Sequence, residues 1–103
     1  MIDLPSIHLA EVERILAEHV PGREVRVFGS RVRGGARPYS DLDLAVAGPV
    51  EPKQLQALRD AFADSNLPFQ VDVLDWYATS PRFQKVMENQ YEVVQKAKEE
   101  VGA

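Results

Sequence analysis

Val25–Leu44 reads VRVFGSRVRGGARPYSDLDL, and the fold turns on how these twenty residues are divided. Val25–Phe28 is short, β-branched and aromatic, so it predicts a strand running into Gly29-Ser30. Arg31–Arg37 predicts a helical turn or loop, broken by Gly34-Gly35 and Pro38. From Asp41 to Ala47 the chain alternates, with Leu42, Leu44 and Val46 on one face and Asp41, Asp43 and Ala45 on the other. That period of two predicts a second strand, stopped by Gly48-Pro49. Two carboxylates on one strand face, about 5 Å apart, repel by about 3 kcal/mol at an effective dielectric near 20. A fold keeps such a pair for a cation, a proton or a purpose.

The periodicity extends in both directions. Upstream, Leu9, Val12, Ile15, Leu16 and Val20 form a helical stripe within Ser6–Val20, ended by Pro21-Gly22. Downstream, Pro52–Asp64 sets Leu55, Leu58 and Phe62 on one helical face. Phe69–Leu74 predicts a strand with Val71 and Val73 on one side and Gln70, Asp72 and Leu74 on the other. Ser80-Pro81 is an N-cap followed by a first-turn proline, opening a helix with Phe83, Val86 and Met87 turned inward. Glu92–Gln95 predicts a closing strand, and Lys96–Ala103 a charged tail. The expected architecture is a single α+β domain over residues 1–103, its core about 6–95: a small mixed sheet flanked by helices.

With 103 residues there is room for one core. No apolar run approaches a membrane span, and no signal sequence opens the chain, so no membrane role is expected. The absence of cysteine rules out a disulfide framework and fits a reducing cytoplasm. The net charge of −4 argues against direct nucleic-acid binding. Yet Arg23, Arg26, Arg31, Arg33 and Arg37 meet only Glu24 within Arg23–Arg37, so this segment carries +4. A local positive patch on an acidic chain suits a compact anion such as a nucleoside triphosphate.

Asp72 is the third carboxylate, placed mid-strand between valines, where a charge is costly unless paired or ligating. If its strand adjoins Asp41–Asp43, three carboxylates meet on one patch. Oxygen-only donors of that kind suit Mg²⁺ beside substrate phosphates, and two ions would suit phosphoryl-type transfer. Asp75 lies three positions on, facing away. Gly29 lets backbone N–H groups approach a phosphate, Ser30 adds a hydroxyl, and Arg31 and Arg33 are placed to neutralise charge. Ser40 stands beside the first aspartate. Ser30 has no histidine partner, so acyl transfer is unsupported. His8 and His19, eleven apart in the first helix without cysteine, do not suggest zinc and read as surface residues. Trp76, Phe83, Val86 and Met87 read as core or partner contacts.

Gly29-Ser30, ten residues, then Asp41-x-Asp43 resembles the signature of the DNA polymerase β-type nucleotidyltransferase superfamily. The size and the segment Ser80-Pro81-Arg82-Phe83 resemble its minimal members, the MNT (MntA-like) antitoxins, over nearly the whole chain. Val32, where many relatives carry alanine, is a mild departure. The resemblance implies Asp41, Asp43 and Asp72 as catalytic and metal-binding residues, and Gly29, Ser30, Arg31, Arg33 and Ser40 around the triphosphate. It implies Mg²⁺, ATP as substrate, and AMP transfer to a tyrosine of a helical HEPN-type ribonuclease toxin. Two other readings stand beside it: an antitoxin acting by occlusion, and an aminoglycoside-type small-molecule transferase. So short a chain has little room for an acceptor domain. That places the acceptor on a partner in trans, and leaves room for a homo- or hetero-oligomer.

Overall fold

Amphipathic helix α1 (Ser6–His19) opens the chain and buries Val12, Ile15 and Leu16; the structure, a computed structural model, describes residues 2–98. Then follow β1 (Val25–Phe28), α2 (Ser30–Arg33), β2 (Leu42–Val46), α3 (Pro52–Ala63) and β3 (Val71–Asp75). A 3-10 turn (Trp76–Ala78), α4 (Pro81–Met87) and β4 (Glu92–Gln95) complete it.

The strands lie in the order β3-β2-β1-β4. β1 runs antiparallel to β2 and β4, while β2 and β3 are parallel. A parallel pair needs a crossover, and α3 provides it. The sheet is therefore mixed, as the sequence predicts.

Alternation divides the sheet into two unlike faces. Val25, Val27, Leu42, Leu44, Val46 and Val73 turn toward α1 and α3, forming one core with Val12, Leu16, Leu58 and Phe62. Phe28, Asp43, Ala45, Asp72 and Leu74 turn the other way. That face is covered at one end, where Phe28, Ala45 and Trp76 are buried against Phe83, Met87 and Tyr91.

Local chemistry fixes the helix ends. Glu51 and Gln54 form a reciprocal capping box ahead of Pro52. Ser80 caps α4, its Oγ accepting from the Phe83 backbone N–H at 3.1 Å. Gln54 Nε2 donates to the His19 carbonyl at 3.0 Å, tying α3 to the end of α1. At the outer edge of β3, Arg59 donates from Nε and Nη2 to the Val73 carbonyl at 3.1 and 2.8 Å. This occupies an edge group that would otherwise be free to pair with another chain.

Several expectations need correction. Val86 faces solvent, 53% exposed, because α4 presents only Phe83 and Met87 to the sheet. Trp76, by contrast, is the core contact that the sequence allowed, buried and stacked on Phe28 with centroids 5.6 Å apart. His8 is half-buried, edge-on to Phe69 at 5.9 Å, and His19 is half-buried too. Of the expected charged tail Lys96–Ala103, residues 99–103 lie outside the described residues.

Candidate active site

The half-covered face holds a cavity of about 210 Å³, lined by Phe28, Gly29, Arg33, Asp43, Leu44, Asp72, Leu74, Phe83 and Met87. Strand register explains the grouping. Phe28 pairs with Asp43 across β1–β2, and Asp43 pairs with Asp72 across β2–β3, so the three share one row of the sheet. Adjacent strands lie about 4.8 Å apart, which sets the two carboxylates side by side.

Gly29 follows Phe28 with φ +79° and ψ −157°, a region essentially reserved for glycine. A Cβ built there would stand 2.6 Å from Asp43 Oδ2, so the bare backbone is what lets the carboxylate lie over the turn. The Gly29 carbonyl then accepts from the Val32 and Arg33 N–H groups at 3.0 Å each, closing α2. Four residues on from Gly29, Arg33 reaches the same cavity.

The electrostatics follow from this crowding. Burial pushes the Asp43 carboxyl above its ordinary value, the Asp72 and Asp41 charges add to that, and Arg33 partly offsets it. Asp72 accepts a hydrogen bond on Oδ1 from Gln70 Nε2 at 3.0 Å. Among the described residues, no three His, Cys, Asp or Glu side chains are drawn tightly enough together to hold a metal ion. Asp43 and Asp72 nonetheless offer what a hard divalent cation needs: carboxylate oxygens side by side, with mutual repulsion that a cation would relieve.

The structure separates the remaining sequence candidates. Asp41 is exposed and stands immediately before β2. It does not line the cavity, although its charge is felt at Asp43. Ser30 heads α2 outside the cavity lining. The Ser40 hydroxyl accepts from the Arg37 N–H at 2.8 Å, folding its own loop.

Arg31 departs furthest from expectation. It is 3% exposed and turned away from the cavity. Its guanidinium donates to the carbonyls of Asp3 at 3.1 Å, Pro38 at 3.1 Å and Ser40 at 2.8 Å, and lies 4.8 Å from the Phe69 ring centroid. It is a clamp holding the N-terminal segment and the loop before Asp41 through Nη1 and Nη2, while its Nε is buried without a hydrogen-bond partner among the described residues.

Two other arginines of the basic segment also have internal tasks. Arg23 donates to the Pro49 carbonyl at 2.6 Å. Arg26 pairs with Glu24 at 2.6 Å and sits between Trp76 and Tyr91, 4.8 and 4.5 Å from their ring centroids. Among the five, Arg33 alone lines the cavity.

The apolar lining is what the sequence did not single out as site. Of Phe28, Leu74, Phe83 and Met87, two carried a legible signal: Leu74 shares the face of Asp72, and Phe28 immediately precedes Gly29.

Known proteins match this chain throughout. A family described as a nucleotidyltransferase domain matches residues 9–101. A Haemophilus influenzae protein named "Probable protein adenylyltransferase MntA" is 42% identical over 102 residues, spanning 97% of this chain and 90% of that one. A chain from a crystal structure of a toxin–antitoxin with AMP-PNP superposes with a TM-score of 0.69 at 22% identity, over 87% of this chain and 74% of that one. A chain from a complex of tri-AMPylated Shewanella oneidensis HEPN toxin with MNT antitoxin gives 0.65 at 22% identity, over 88% and 71%. At such identities the two structures speak for the fold.

Proposed function

The chain belongs to the nucleotidyltransferase domain family, and we propose that it is a Mg²⁺-dependent adenylyltransferase antitoxin of the cytoplasm. In this reading it moves AMP from ATP onto a tyrosine of a helical HEPN-type toxin and so silences it. One observation carries the reading: Asp43 and Asp72 stand in register on adjoining parallel strands, over the Gly29 turn and facing the cavity that Arg33 enters. The curated relative named as a protein adenylyltransferase, and solved neighbours that are toxin–antitoxin assemblies, support the choice of acceptor.

Asp43 and Asp72, with Asp41 swung in from the strand entrance, would hold the divalent cations, two by the usual logic of phosphoryl-type transfer. Bound there, the metal supplies charge neutralisation for the triphosphate and a lowered pKa for the attacking hydroxyl. The chain's own residues do the rest. Gly29 leaves room for phosphate oxygens against the backbone, and Arg33 counters the charge that grows on the leaving pyrophosphate. Asp72 has one oxygen engaged by Gln70 and would present the other to the acceptor. Arg31 holds the loop that delivers Asp41, a positioning task rather than a ligand contact.

The test is intact-mass spectrometry of the HEPN-type partner after incubation with this protein, ATP and Mg²⁺. The partner should gain one or more AMP units, and the Asp41→Asn/Asp43→Asn double variant should lose that activity. A double variant that modifies the partner at the wild-type rate would remove the carboxylates from the mechanism. One that cannot transfer AMP yet still silences the toxin in cells would establish neutralisation by binding alone.

A further inference from the structure

The cavity has two unlike halves. Gly29, Arg33, Asp43 and Asp72 make the polar one, while Phe28, Leu74, Phe83 and Met87 contribute the apolar one. Metal and phosphate chemistry account for the first half and leave the second without a task. We propose that the apolar half is the acceptor subsite, seating a single phenol ring of the partner protein with its hydroxyl toward Asp72. The assignment rests on the adenylyltransferase reading for its chemistry, and on the cavity itself for its location.

Three physical considerations favour a phenol over the adenine of ATP. The first is size. An apolar cavity of about 150 Å³ accepts a benzene ring, whereas ligand pockets for larger molecules run to roughly 300–1,000 Å³. The whole cavity, polar half included, is about 210 Å³, so its apolar half is of single-ring size and short for a nucleoside. The second is polarity. A purine carries several ring and exocyclic nitrogens that need partners when buried, yet no Ser, Thr, Asn, Gln or His side chain lines the cavity. The charged groups that do line it are claimed by phosphate and metal. A phenol asks for one polar partner at one end and apolar surface along the rest. The third is access: Leu74, at the cavity wall, is 40% exposed, so a side chain on another protein has a way in from solvent.

Seated this way, the phenol presents its oxygen to the α-phosphorus of ATP. The Oη–H proton passes to the Asp72 carboxylate, the Oη–Pα bond forms, and the bond from Pα to the bridging β-phosphate oxygen breaks. Pyrophosphate leaves with that electron pair. Phe83 and Met87, one turn apart on α4, then decide which acceptor side chain fits.

Met87 provides a direct probe, because the chain has two methionines and the other is Met1. With methyl-labelled methionine, p-cresol titrated into the wild-type protein should shift the Met87 methyl resonance by ring current, while adenosine should leave it in place. A shift with adenosine and not p-cresol, an equal shift with both, or no shift with either overturns the assignment.

Turnover gives the second arm. Phe83→Leu keeps an apolar residue of similar reach, and should raise KM for the partner about 10-fold or more with AMP-PNP affinity unchanged. Weakened AMP-PNP binding with unchanged KM overturns the proposal and assigns the half-pocket to the base. If the wild-type protein transfers no AMP to its partner at all, the adenylyltransferase reading fails, and the methyl titration still decides what the cavity seats.

Discussion

The two faces of the sheet are built from alternate residues of the same strands and follow opposite rules. Beneath α1 and α3, Leu16, Leu44, Leu58 and Val27 are essentially inaccessible and belong to one apolar cluster. On the other side Asp43 and Asp72 crowd together, with Asp43 held above its ordinary pKa chiefly by burial. One face stabilises the fold, and the other gives up some of that stability to hold charges where chemistry needs them. Within β2 the rule changes from each residue to the next.

The contrast can be broken most severely from the closed face. Leu58 is fully buried between α3 and the sheet, so Leu58→Ala should cost about 2–5 kcal/mol in denaturant unfolding. AMP transfer per folded molecule should hardly change. A comparable loss of specific activity would mean that the two faces are coupled more tightly than their separate packing implies.

At the junction between the faces, Gly29→Ala should cost about 1–3 kcal/mol, because alanine resists this backbone conformation. The new Cβ would also press on Asp43 Oδ2. The expected signature is therefore double, a lowered Tm together with a raised Mg²⁺ requirement, whereas Leu58→Ala should show only the first.

The smallest effect sharpens the comparison best, since its sign is opposite. A carboxyl raised in the folded state binds its proton more tightly there than in the unfolded chain. The resulting stabilisation is complete below the unfolded pKa and is lost as pH rises through the folded one. Ionised Asp43 thus weakens the fold near neutral pH. Asp43→Asn should raise Tm there, a stabilisation of under about 1 kcal/mol once solvent screening of this partly exposed group is allowed for. The gain should fade as the pH falls below the carboxyl range. Thermal melts of the variant and wild type across pH check this, and an unchanged or lowered Tm at neutral pH would place the cost of these charges elsewhere.

Legibility varied with the kind of interaction. Helices and strands were readable because each is written in a short repeat: Leu55, Leu58 and Phe62 at helical spacing, and Leu42, Leu44 and Val46 at a spacing of two. The Ser80 cap was equally plain, for capping is a three-residue affair. Arginines were not readable. Arg31 and Arg33 stand two apart in one basic run, yet one is buried against backbone carbonyls while the other enters the cavity. A long side chain takes its partner from whatever packs nearby, and neither Asp3 nor Pro38 is near Arg31 in a helical or strand repeat.

From its sequence alone this chain determined its secondary elements, its inner and outer faces, and the spaced glycine–serine and aspartate signature, because local sterics and periodicity act over a few residues. Only the tertiary structure decided that β2 and β3 adjoin in the register that pairs Asp43 with Asp72. It alone decided, too, that Phe28, Leu74, Phe83 and Met87 close an apolar pocket beside them. Those contacts join residues far apart in the chain, and their geometry is set when helices and sheet pack together, a step that no local spacing encodes.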